Sequence, residues 1–124
     1  MKEFQKIYKN QKLFFKSKKT QLISYRINSL KKLKSNIIKY EDKIFKALND
    51  DLGKSQAETY FSEISLLYNE INLALNNIKK WSSKKRVSSS LINFLSTDYI
   101  LPEPYGLILN ISPWNYPFQL AISP

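Results

Sequence analysis

The side chains that most often run covalent and acid–base chemistry are missing from this sequence: its 124 residues include no Cys and no His. Thiolate nucleophiles, imidazole general bases, disulfides and Cys- or His-ligated metals are all removed with them, so no metal site is expected. The residues that stand out near the carboxyl end are Trp114-Asn115-Tyr116, bracketed by Pro113 and Pro117. A side-chain amide such as that of Asn115 donates hydrogen bonds without a proton that can leave. Taken alone, Asn115 reads first as a turn former ahead of an aromatic and only second as a catalytic donor. By itself the chain is expected to run no acid–base or covalent reaction.

Charge offers a different chemistry. The formal net charge is +10, and residues 1–39 hold twelve Lys or Arg against one acid, Glu3. Residues 87–124 hold no cation and two acids, Asp98 and Glu103. A basic half invites a nucleic-acid or anionic-membrane partner. Lys outnumbers Arg eighteen to two, however, and Lys is the poorer residue for bidentate phosphate recognition. The lysines also fall mostly between apolar positions of a helical pattern, which marks a solvated helix face. No nucleic-acid partner is therefore expected of the main reading, and the alternative is a basic helical interaction module that binds acidic partners, a membrane surface or nucleic acid through residues 1–39.

The elements that must position these residues follow from periodicity. With 43% hydrophobic and 14% aromatic residues, and only two Gly and five Pro, the composition is that of a chain able to bury a core. No apolar run approaches the ~20 residues of a membrane-spanning helix, and the amino terminus reads as amphipathic rather than as a signal peptide, so a cytoplasmic protein is expected. Phe4, Ile7, Tyr8, Phe14 and Phe15 predict a helix over residues 3–17, with a break near 17–20. Ile23, Ile27, Leu30, Leu33, Ile37 and Ile38 mark the face of a second helix. A third spans 41–52, turning Ile44, Leu48 and Leu52 inward, with Gly53 as its left-handed cap.

Ser55-Gln56-Ala57-Glu58 fits a capping box. A long helix then runs to Trp81, with Ala57, Phe61, Ile64, Tyr68, Ile71, Leu75 and Ile78 on one stripe. That stripe suits either a coiled-coil seam or a globular core, and Leu66, Leu67, Leu73 and Ala74 widen it towards the latter. Residues 82–90 read as a polar surface connection. Residues 97–101 read as a strand interrupted by Pro102 and Pro104. Residues 107–111 suit a strand covered on both faces, and Pro117 suits the first position of a helix over 118–122. One strand followed by one helix cannot make a parallel sheet, so the pattern implies further strands beyond these 124 residues.

The run Pro102-Glu103-Pro104-Tyr105-Gly106-Leu107-Ile108-Leu109-Asn110-Ile111-Ser112-Pro113-Trp114-Asn115-Tyr116-Pro117-Phe118 resembles the aldehyde dehydrogenase superfamily. The form Trp-Asn-Tyr-Pro-Phe is similar to its class 3, fatty-aldehyde branch. Upstream, Arg26-Ile27, Asp51-Leu52-Gly53-Lys54-Ser55, Glu58, Tyr60, Ser62-Glu63-Ile64, Trp81 and Lys84-Lys85-Arg86-Val87 resemble that branch in order, so the likeness covers essentially the whole chain.

The resemblance implies an α/β fold: N-terminal helices plus the first strand or strands of a Rossmann-like aldehyde dehydrogenase fold, truncated. It assigns residues 1–95 to the helical region of the cofactor domain, 96–104 to an oligomerisation-hairpin-like strand, and 105–124 to the first cofactor-domain strand and its loop. It implies that an intact relative oxidises an aldehyde to a carboxylate with NAD or NADP, through a cysteine thiohemiacetal, and forms a homodimer. It gives Asn115 to the oxyanion site, and Ile111, Ser112, Pro113 and Trp114 to contacts with the nicotinamide and its ribose. Tyr116, Gln119 and Leu120 would line the aldehyde tunnel. The catalytic Cys, general-base Glu, phosphate-binding Lys and glycine motif of the family would lie downstream, which implies that the chain alone is inactive.

Overall fold

The computed structural model describes residues 2–93 and 95–124. Helix α1 is Lys2–Lys16, and a 3-10 turn at Lys19–Gln21 leads into α2, Ile23–Lys39. The break between them is local: Ser17 Oγ donates to Phe14 O at 2.6 Å, and Lys18 takes a left-handed φ of 60°. Helix α3 is Glu41–Leu52. It ends on Gly53, whose N–H donates to Asn49 O at 2.8 Å with φ 66°. A Cβ added there would meet nothing within 4 Å, so the backbone angle and not space requires glycine.

Ser55 begins the next helical run by accepting from Glu58 N at 3.1 Å. Only this half of the expected capping box forms; among the described residues the Glu58 carboxylate makes no return bond. The run proceeds as α4, Gln56–Thr59, then a π-helical turn, Tyr60–Ile64, then α5, Ser65–Trp81. The wide turn corrects the expected stripe. A π turn inserts a residue into the helical repeat and rotates everything before it by about 100° relative to everything after. Ile64, Leu67 and Ile71 are buried as their spacing implies, but Ala57 and Phe61 face outward. Thr59 and Glu63 are buried in their place.

Helices α2 and α5 pack together around Ile37, Ile64, Leu67 and Ile71. Leu30, Leu33, Ile44 and Phe45 close over this cluster, while Leu48 is buried on α3. Each such aliphatic burial contributes roughly 1.5–3 kcal/mol. Ile38 and Leu52, expected inside, are exposed, as is the Phe4, Ile7, Tyr8 face of α1, which finds no cover among the described residues.

Tyr68 lies at the edge of the core and donates to Glu41 Oε1 at 3.2 Å. Burial, with the Glu41 carboxylate second, raises its pKa from the ordinary 10.0 to about 12. The sign is fixed by proton binding: between pH 10 and 12 the unfolded tyrosine loses its proton while the folded one keeps it. Stability from this group is complete below pH 10 and lost as pH rises towards 12. Urea midpoints across that window should fall more steeply for the parent than for Tyr68→Phe; parallel curves would contradict the assignment.

After α5 the chain forms a two-stranded antiparallel sheet, β1 Lys85–Val87 with β2 Asp98–Ile100, pairing Arg86 with Tyr99. β2 falls within the expected strand, whereas β1 lies inside the stretch read as a connection. The serines that flank it and its own Lys85 and Arg86 hide it, and its pairing is supplied by a strand eleven residues away. Residues 107–111 are a second correction. They make no sheet pairing among the described residues, and Ile108 and Leu109 are exposed. Strand character in a doubly covered run comes from neighbouring strands, and none lies beside it here. The last helix, α6, is Pro117–Ile122, with Pro at its first position; Phe118 and Ile122 pack against the core.

Candidate functional site

The loop between residues 111 and 116 is fastened at its carboxyl end to a buried ion pair. Lys54, just past the Gly53 cap, is 8% exposed, and Glu63, on the π turn, is 0% exposed. Lys54 Nζ donates to Glu63 Oε1 at 2.5 Å and to Asn115 O at 2.8 Å, and lies 4.4 Å from the centre of the Tyr116 ring. An ammonium has three N–H groups, and three directions are occupied. Glu63 Oε2 accepts from Phe118 N at 2.9 Å and Gln119 N at 3.1 Å. These are the first free amides of α6, since Pro117 has none, and a carboxylate at a helix start is favoured by the helix dipole. Every polar group of the pair is satisfied, which is the condition for burying charge at tolerable cost.

Two further contacts bracket the loop. Asn110 Nδ2 donates to the carbonyls of Leu120 and Ala121 at 3.2 and 3.1 Å. Ser123 Oγ donates to the Glu70 carboxylate. Upstream, Gly106 at φ 103° places the chain 3.5 Å from the Phe15 ring, measured from where a Cβ would sit.

The residues singled out from sequence differ in exposure and in what the fold makes of them. Asn115 is exposed, and its side-chain amide makes no hydrogen bond among the described residues; the fold uses only its carbonyl. Trp114 is 87% and Ile111 82% exposed, with Ser112 half-buried and Pro113 exposed beside them. The backbone of residues 111–114 is engaged in no hydrogen bond among the described residues. Tyr116 lies over the Lys54 ammonium. Gln119 and Leu120 are half-buried on α6.

Sequence reasoning passed over Lys54 and Glu63 as functional residues. Their nine-residue separation spans the Ser55 N-cap, the short α4 and most of a π turn, so no helical or strand period relates them. A signal was nevertheless available: Glu63 falls directly beside Ile64 on the apolar stripe, where an unpaired carboxylate would be costly.

The Aldehyde dehydrogenase family model matches residues 1–124, and the chain belongs to that family. It is 43% identical over 120 residues to the 4,4'-diaponeurosporen-aldehyde dehydrogenase of Staphylococcus aureus, covering 97% of this chain and 26% of that protein. It is 43% identical to aldehyde dehydrogenase family 3 member H1 of Arabidopsis thaliana (85% of this chain, 22% of the relative). With family 3 member B3 of Mus musculus it shares 42% identity over 89% of this chain and 23% of the relative. A solved substrate-bound state of S. aureus AldH superposes with a TM-score of 0.92 at 41% identity, covering 94% of this chain and 26% of that one. The chain therefore spans about a quarter of the length of the relatives it matches. Its helices and small sheet correspond to the amino-terminal part of the aldehyde dehydrogenase fold. No helix among the described residues is long and apolar enough to cross a membrane.

Proposed function

We propose that residues 1–124 form the amino-terminal part of an NAD(P)-dependent aldehyde dehydrogenase, in which the Asn115 amide stabilises the alkoxide formed when an enzyme thiol adds to an aldehyde. The observation that carries this reading is the division of labour at Asn115: its carbonyl is tied to Lys54, while its side-chain amide is left over by the fold. A residue kept for its turn would spend its side chain on the turn. A donor aimed at developing negative charge must instead be rigidly mounted and uncommitted, and such a donor is worth about 3–4 kcal/mol in the transition state.

The nicotinamide cofactor, when bound, would supply the hydride acceptor. Residues 111–114 fit such a group: their backbone is uncommitted among the described residues, Pro113 stiffens it, and exposed Ile111 and Trp114 offer apolar surface for a planar ring. Tyr116, Gln119 and Leu120 would border the aldehyde, with the Tyr116 ring excluding water beside the oxyanion. In the same reading residues 1–95 and 105–124 build the cofactor domain, and residues 96–104, with β2, belong to an oligomerisation hairpin of a homodimer. A basic interaction module is not favoured, because the family match runs through residues 1–39.

The test joins residues 1–124 to the downstream three quarters of the S. aureus relative. This chimera should form NADH or NADPH from octanal or benzaldehyde. Residues 1–124 alone should form none, having no thiol to add to the carbonyl. A soluble chimera without turnover, or turnover by the 124 residues alone, would overturn the reading.

A further inference from the structure

Burying a Lys–Glu pair is weak evidence for stability, because apolar residues of the same volume often do as well or better. The Lys54–Glu63 pair therefore needs another account, and its contacts supply one. Apart from the bond to each other, Lys54 reaches residues 115 and 116 and Glu63 reaches 118 and 119. Four residues around Pro117 are thus held from one buried point on the π turn.

We infer that Lys54 and Glu63 are positioning residues: from the core, they set the backbone at residues 115–119 and through it the place of the Asn115 amide. The inference rests on the proposed oxyanion role of Asn115. The Asn115 side chain makes no bond to the fold among the described residues, so its direction is decided by its own backbone. The carbonyl of that residue is fixed by Lys54 at 2.8 Å. The following helix has only six residues, too few to hold its own start. Glu63 supplies that start by taking its first two free amides. The π turn matters because it brings Glu63 to the buried side next to Ile64. Lys54 and Glu63 need touch neither aldehyde nor cofactor for this.

The chimera defined above carries the test, with kcat, KM for the aldehyde and cofactor Kd measured for Lys54→Met and for Lys54→Met/Glu63→Gln. The uncharged double variant removes the buried unpaired charge of the single one while still denying Asn115 O its donor. Positioning predicts that kcat falls roughly 10- to 10²-fold in both, the scale for a misplaced group, with KM and Kd within about twofold. The thermal midpoint should recover in the double variant while kcat does not. Each of the two variants is then combined with Asn115→Ala. If Lys54 acts through Asn115, the Lys54→Met effect on kcat disappears in that background. Equal effects in both backgrounds, or a folded double variant with parental kcat, would overturn the inference alone. An Asn115→Ala variant with parental kcat would instead overturn the oxyanion reading, and this inference with it.

Discussion

Asn115→Ala in the chimera should lower kcat by roughly 10²–10³, the scale for removing one oxyanion donor. The aldehyde KM should change little, because in the proposed role the amide meets charge that develops only after addition to the carbonyl. Cofactor affinity should also hold, since none of the contacts proposed for residues 111–114 uses the Asn115 side chain. Stability should barely move. The side chain is exposed and makes no hydrogen bond among the described residues, while the carbonyl bonded to Lys54 survives the substitution. Steady-state kinetics alongside a thermal melt separates the two roles. A variant that melts many degrees lower while its folded fraction keeps near-normal kcat would make Asn115 a turn residue.

The second large effect is on stability. Glu63→Ala leaves the Lys54 ammonium buried without its counter-charge and strips the acceptor from Phe118 N and Gln119 N. Breaking one partner of a buried pair costs about 3–5 kcal/mol. Lys54→Met should cost less, because Glu63 keeps two backbone donors from α6. Equilibrium urea unfolding of the three proteins should therefore rank them parent, Lys54→Met, Glu63→Ala. A Glu63→Ala protein within 1 kcal/mol of the parent would show that water or a rearranged loop satisfies Lys54 without the carboxylate.

The contrast between these two residues shows which parts of the site can be read from a sequence. Asn115 sits in a run of five distinctive residues that begins and ends with proline, so its neighbourhood is written contiguously in the chain. Lys54 and Glu63 are nine positions apart, and their targets lie more than fifty residues further on. Nothing local connects them. The helices behaved likewise. Where a face depends on one uninterrupted period, as in α3 at Ile44 and Leu48 or α5 at Ile64 and Ile71, the apolar spacing places it correctly. Where the period slips, at Tyr60–Ile64, the spacing assigns Phe61 to the inside and the structure turns it out.

Helix existence, the Gly53 cap, the Ser55 N-cap, the Pro117 start and family membership all follow from residues adjacent in the chain. Their causes are short-range: backbone angles, hydroxyl-to-amide bonds and the stacking of one helical turn on the next. Tertiary structure alone decided the rest. β1 became a strand because Asp98–Ile100 returned beside it. Residues 107–111 carry strand composition without a strand, since a ladder needs partners that composition cannot provide. The carbonyl of Asn115 is bonded to a charge pair whose members lie on separate elements and meet in the folded core. Hydrogen bonds between distant residues carry no signature in the spacing of either partner, and only the folded chain brings their donors and acceptors within 3 Å.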